Sequence, residues 1–322
     1  MAMKNKDAAT KSVTVSKLKE GTWAYDFKRN KTIYMLFIPV MAYFIIFHYL
    51  PMTGLLMAFQ NYKPSRGIFG SKWVGLQNFF DLFTGDTFML VFRNTAVLAL
   101  LKMTVGFVAP VILAILFSEV RLKRYSRTVQ VISYMPYFVS AVVVTTLARE
   151  FLSSSGAITT LLSWLGLDQQ NWLANPNIPV FWIIYTFIEM WQGAGWGSII
   201  YFAAIQNVNK DYYEAAAIDG ANRWQRLWKI TIPSILPLVV VMFIMHIGLV
   251  FRGGFDKILL LYMPSTYNVA DVLYTYTYRM AFGTTVNYGL ATASGLFQSI
   301  IATTLLVISN KLSKKVSNSS LF

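Results

Sequence analysis

The sequence predicts an all-α membrane protein with six transmembrane helices and both termini in the cytoplasm. Composition comes first: of 322 residues, 56% are hydrophobic and 13% charged, against roughly 25% charged in an average soluble domain. A soluble core of this size still exposes about a quarter of its unfolded surface, too much to hide that apolar excess, so the matching solvent is a bilayer. Second, six windows reach the roughly 20 apolar residues that a crossing helix needs. Third, Lys and Arg are lopsided: 19 fall in segments that alternate onto one side and seven onto the other, and cytoplasmic loops retain the positives.

In chain order, residues 1–32 are polar, with Lys4, Lys6, Lys11, Lys17, Lys19, Lys28, Arg29 and Lys31. They read as a cytoplasmic tail leading to an interfacial helix near Trp23. No small-residue cleavage site follows the first apolar stretch, so it reads as an uncleaved anchor. The transmembrane domain is placed at 33–310, with spans at 33–59, 93–117, 129–148, 178–204, 234–250 and 288–309. The connection 61–92, rich in Trp73, Phe79, Phe80, Phe83 and Phe88, belongs on the outer surface, and 311–322 is a second cytoplasmic tail.

The net charge of +14 would suggest nucleic acid in a soluble domain. Here topology and anionic headgroups account for it, so no nucleic-acid partner is expected and membrane lipids are. The chain has no cysteine, hence no disulfide or thiolate metal site, and no metal site is expected. No glycine is followed by lysine, which excludes a phosphate loop of the G-x-x-x-x-G-K-[ST] type. Neither G-x-S-x-G nor H-E-x-x-H occurs, and the two histidines, His48 and His246, sit in separate spans. No catalytic residues are assigned.

Function concentrates in the loop 206–237, whose core reads NKDYYEAAAIDGANRWQRLWKITIPSILP. It predicts two short helices with a break at Gly220, the first opened by a capping box from Asp211 to Glu214. The second, 222–230, places Arg223, Arg226 and Lys229 against Trp224, Leu227 and Trp228, as in an amphipathic helix at the interface. Ala216 with Gly220, and Ala217 with Ala221, are four apart and share a helix face open to close approach, or simply tolerate crowding within the subunit.

The spacing Glu214-Ala215-Ala216, three residues, Gly220, nine residues, Ile230-Thr231-Ile232-Pro233 resembles the EAA motif of binding-protein-dependent ABC importer permeases, with Ile232 where that family prefers Leu. The run Trp73-Val74-Gly75-Leu76-Gln77-Asn78-Phe79, and then Arg93-Asn94-Thr95, is similar to elements of the sugar permeases. The opening run ending Leu50-Pro51-Met52-Thr53-Gly54 looks most like the branch for oligosaccharides released from polysaccharides. The resemblance implies a type I ABC importer permease fold in a bacterial cell membrane. It implies a coupling helix formed by Glu214, Ala215, Ala216, Asp219, Gly220 and Ala221, docked on a separate ATPase. ATP and Mg²⁺ would be bound by that ATPase and no cofactor by this chain. The implied partners are two ATPase subunits, a second homologous permease in a heterodimer, an external solute-binding protein and an oligosaccharide.

The residues themselves leave the pathway open. In the fourth span Glu189 is an acid in apolar surroundings, near Trp182, Tyr185, Trp191, Gln192 and Trp196, a set suited to sugar rings and hydroxyls. The alternative is an interfacial tryptophan belt with Gly193 and Gly197 as a packing seam. His246, Arg252 and Gln298 are secondary candidates, and outer-side positives such as Lys102, Arg252 and Lys257 would suit an anionic sugar or simply mark an interface. Competing functions are a proton-coupled secondary transporter with Glu189 as relay, an importer permease for a non-sugar solute, and, more distantly, a membrane enzyme.

Overall fold

The computed structural model describes residues 23–120, 122–250 and 255–317. The positives expected at Lys4, Lys6, Lys11, Lys17, Lys19, Arg121 and Arg252 lie outside them, as do the last residues of the 311–322 tail. The chain divides into two compact units, Met1–Gly54 and Leu55–Phe322.

In the first unit, helix Trp23–Arg29 meets helix Lys31–Phe44 at Asn30. The Asp26 carboxylate accepts from the Asn30 amide at 2.7 Å and the Tyr34 hydroxyl at 2.6 Å, fixing that junction. A wide π-turn follows at Ile45–Tyr49, and a tight 3₁₀ stretch, Leu50–Phe59, carries the chain into the second unit; by length and composition Lys31–Phe59 is a 29-residue apolar span.

Among the described residues of the second unit the regular structure is helical apart from one two-residue ladder pairing Gln60 with Trp73 and Asn61 with Lys72. Three more helices among the described residues are long and apolar enough to cross a membrane: Phe88–Glu119, Arg223–Gly248 and Tyr288–Lys311. The pair Arg124–Phe138 and Ala141–Phe151 reaches that standard jointly but bends by 98°. The expected straight span 129–148 is therefore broken. Pro136 removes a backbone donor, and the Ser140 hydroxyl accepts from the Val143 N–H at 3.3 Å, starting a new helix instead of continuing the old one.

The helix Val180–Gln206 is long enough to cross but falls short of the apolarity of those spans. Ten of its 27 residues are buried. It packs most extensively on Phe107–Glu119, and also against Lys123–Tyr134 and Ile232–Val250. The close approaches are not the expected G-x-x-x-G seam, since a side chain on Gly193 would meet open space. A Cβ on Gly197 would lie 3.2 Å from the Pro110 ring, and one on Gly195 would run into the Ser133 carbonyl. Gly195→Ala therefore lowers the melting temperature of the detergent-purified protein, at a cost of about 1–3 kcal/mol for overpacking. Gly193→Ala leaves it unchanged or higher, because Ala favours helix. Equal melting temperatures would contradict this packing.

The amphipathic segment 222–230 is not a separate interfacial helix. Arg223–Arg226 runs through a π-turn, Leu227–Thr231, directly into Ile232–Val250. The wide turn accommodates Pro233, which lacks the N–H an ordinary turn would use. The last helix, Tyr288–Ser317, packs on Ile232–Val250, Leu273–Phe282 and Gln77–Thr84, and continues into the expected tail.

Candidate functional site

The loop with the EAA spacing folds as one exposed helix and a turn. Helix Lys210–Ile218 is capped by Asn209, whose side chain accepts from the Asp211 N–H at 3.0 Å, so the expected Asp211–Glu214 capping box does not form. A capping box does occur one element later, between Asn222 and Gln225. The helix ends where Gly220 takes φ +77°. There the Ala221 N–H donates to the Ala216 carbonyl at 2.8 Å and the Gly220 N–H to the Ala217 carbonyl at 3.1 Å, a glycine-dependent stop. Ala216 and Gly220 therefore do not share a helix face, because Gly220 lies beyond the helix. Tyr213 and Thr231 share a hydroxyl hydrogen bond of 2.9 Å that ties the loop to the next span. Glu214, Ala215, Asp219 and Gly220 are exposed and Ala216 and Ala221 half-buried. Ile218 is 87% exposed, and Tyr212 on the same helix is exposed as well.

Within the helical body, Glu189 is paired. Lys257 Nζ, from helix Phe255–Leu261, contacts its Oε1, and Lys102 Nζ lies 3.9 Å from its Oε2. The side chains of Lys102, Glu189 and Lys257 are only 20%, 19% and 15% exposed. Lys102 opens a π-turn, Lys102–Gly106, inside the second span, and its carbonyl is held 3.2 Å from His246 Nε2. The carboxylate is neutralised within the chain, which removes the basis for a free proton relay at Glu189.

The other span-four candidates separate. Trp182 is buried and its indole donates to the Val269 carbonyl at 2.7 Å, with Arg93 over the ring. Tyr185 is buried and stacks on Phe181. The Gln192 amide donates to the Val139 carbonyl at 2.7 Å, holding the broken span, while its Oε1 is buried without a partner. Trp191 is exposed, and Trp196, also exposed, stacks on Tyr137 at 4.9 Å. Trp182, Tyr185 and Gln192 thus act in packing, and no single cluster unites the seven residues Trp182, Tyr185, Glu189, Trp191, Gln192, Trp196 and His246.

A larger cavity lies elsewhere, about 560 Å³, lined chiefly by helices Leu273–Phe282 and Tyr288–Ser317, including Tyr274, Thr277, Tyr288, Thr292, Gln298 and Ser299. Ligand pockets commonly measure about 300–1,000 Å³. Gln298 is buried and its Oε1 has no partner, while its amide nitrogen donates to Thr277 Oγ1 at 3.2 Å. Apart from Gln298, these residues are absent from the sequence-based candidates. The available signal was polar or small residues three and four apart on the last span, Thr292, Gly295 and Ser299.

Beside this cavity the segment preceding the last span is fastened by charge. Asp271, fully buried, pairs with Arg279 at 2.5 Å, and that hydrogen bond holds the guanidinium above its ordinary pKa. The Asn94 side chain donates to the Asp271 carbonyl at 2.9 Å, and Thr95 Oγ1 accepts from the Leu273 N–H at 2.9 Å. Asn78 donates to the Ala58 and Gln60 carbonyls. Three of the residues carrying the sugar-permease resemblance, Asn78, Asn94 and Thr95, thus tie separate segments of the chain together.

Residues 106–318 match the family of binding-protein-dependent transport system inner membrane components. The chain belongs to that family. Among relatives of this transport component, Protein LplB of Bacillus subtilis (strain 168) is 38% identical over 302 residues, 94% of each chain. The polygalacturonan/rhamnogalacturonan transport system permease protein YteP of the same organism is 37% identical over 295 residues, 91% of each. A chain in the crystal structure of a bacterial alginate ABC transporter, in complex with alginate pentasaccharide-bound periplasmic protein, superposes with a TM-score of 0.84 at 38% identity, covering 92% of this chain and 98% of that one. The fold is therefore the all-helical ABC importer permease fold, and the chain is a multi-pass membrane component.

Proposed function

We propose that this chain is the membrane-spanning subunit of an ATP-driven importer that takes up an oligosaccharide handed over by an external solute-binding protein. The observation that carries it is full-length similarity, at 38% identity and TM-score 0.84, to a permease chain from a transporter captured with a saccharide-loaded binding protein. The six crossings are the four apolar helices, the bent pair, and Val180–Gln206, with both termini cytoplasmic because the 19 positives gather on that side. Lys210–Ile218 with the Gly220 turn is the coupling element, in which Glu214, Ala215, Ala216, Asp219, Gly220 and Ala221 meet an ATPase. Two such helices are needed for two ATPase copies, so a second permease pairs with this one. ATP and Mg²⁺ act in the ATPase, and this chain performs no catalysis. The saccharide passes the cavity walled by Tyr274, Tyr288 and Gln298, where aromatic faces suit sugar rings and the amide and hydroxyls suit sugar OH groups.

Deleting the gene in its native host abolishes uptake of labelled oligosaccharides, and plasmid-borne protein restores it. The purified chain alone in liposomes shows no uptake under a pH gradient. Pumping by the isolated chain without ATP would overturn the proposal in favour of secondary transport.

A further inference from the structure

Two ammonium groups, Lys102 and Lys257, serve one carboxylate, Glu189. The two lysines do not contribute equally. Lys257 makes the close contact, while Lys102 stands 3.9 Å from the second oxygen. Asp256, next to Lys257, is exposed and makes no ion pair among the described residues. Excess positive charge inside a membrane protein is costly unless something neutralises it. Lys102 is also deliberately placed: it opens a π-turn, a feature common at functional sites, and His246 holds its backbone carbonyl.

Lys102 lines a small cavity of about 40 Å³ together with Tyr274 and Gln298. Those two residues also line the 560 Å³ cavity. The small cavity at Lys102 and the larger one thus share two lining residues. Gln298 belongs to both linings, and its Oε1 is buried without a partner.

We propose that Lys102 is a specificity-determining residue that selects saccharides carrying a carboxylate, its ammonium attracting the substrate anion at the Tyr274–Gln298 wall while Lys257 keeps Glu189 satisfied. This rests on the oligosaccharide-uptake reading above. A carboxylate arriving beside Lys102 supplies the missing negative charge, whereas a neutral sugar leaves it uncompensated. Gln298 meanwhile reads hydroxyls, which acidic and neutral sugars share.

The test uses cells carrying the complete transporter and two probes of equal size, a trigalacturonate and its fully methyl-esterified form. The wild type takes up the acid in preference to the ester. Lys102→Gln lowers the acid-to-ester uptake ratio about tenfold, as loss of one charge-assisted contact implies, and Lys102→Arg keeps most of the preference. Since Lys102→Gln leaves the Glu189–Lys257 pair intact, the amount of assembled transporter in the membrane, measured in parallel, stays at the wild-type level. Equal loss of both probes in Lys102→Gln, or an unchanged ratio, overturns the proposal. A wild type that prefers the ester overturns it while leaving oligosaccharide uptake standing. A wild type that takes up neither the acid, the ester nor any member of an oligosaccharide panel overturns both readings.

Discussion

Glu189→Leu destabilises the protein by about 3–5 kcal/mol, the cost of leaving buried charge unpaired. The substitution strands Lys102 and Lys257 together, with side chains 20% and 15% exposed and their shared carboxylate gone. The readout is the melting temperature and the monodisperse fraction of the detergent-purified transporter. The decisive comparison is the triple variant Glu189→Leu, Lys102→Met, Lys257→Met. Apolar replacement of an entire buried ion cluster is often neutral or stabilising, so the triple variant melts well above the single one. The sum of the three single effects overshoots the combined effect, since residues in one network do not add. A single variant as stable as wild type would mean that the cluster carries no structural load. A free proton relay at Glu189 predicts the opposite pattern, lost transport with unchanged melting.

That triad also marks where the sequence was informative and where it fell short. Glu189 stood out as an acid in an apolar run, and the cost of such an acid is a general fact of bilayers. Lys102 was equally legible by the same logic, a lysine ten residues into the second span, but it was grouped with the outer-side positives that suit an anionic sugar or mark an interface. Pairing across 87 residues to Glu189, and from Lys257 across 68, follows from helix packing, which periodicity does not encode. The same holds for the third span. Its hydropathy is continuous, yet Pro136 and the Ser140 cap bend it by 98°. The mini-motif around Gly75 and Asn78, and the Asn94-Thr95 pair, marked the family correctly. The side chains of Asn78, Asn94 and Thr95 turn out to tie separate segments of the chain together, so a family signature and a functional site are different things here. The aromatic-rich fourth span suggested a sugar site because tryptophans serve packing and sugar recognition equally well. Burial separates the two: Trp182 and Tyr185 are core residues, whereas the open cavity lies along the last helix.

Gly220→Val abolishes uptake. The position sits at φ +77°, where a side chain costs about 1–2 kcal/mol and a β-branched one is a genuine outlier. The strain falls on the turn that closes the Lys210–Ile218 helix through the Ala221-to-Ala216 and Gly220-to-Ala217 hydrogen bonds, so the exposed helix loses its end and its aim. Gly220→Asn retains most of the uptake, because Asn tolerates the left-handed region. Gly75→Val, at φ +63° in the outer connection, imposes comparable strain away from the loop and leaves ATPase co-purification intact. Ile218→Asp supplies the complementary case: the backbone is untouched, yet the most exposed apolar side chain of the loop is replaced by a charge, and both uptake and the co-purified ATPase fall at least tenfold. The measurement is labelled-oligosaccharide uptake in cells together with the ATPase recovered on the affinity-tagged permease. If Gly220→Val and Ile218→Asp both transport and both retain the ATPase, this loop is not the contact through which ATP hydrolysis drives the spans. If only Gly75→Val loses the ATPase, strain alone explains the pattern and the assignment of the coupling residues fails. Loss confined to the two loop variants, with Gly220→Asn spared, ties transport to the conformation of one turn and to the apolar surface that it presents.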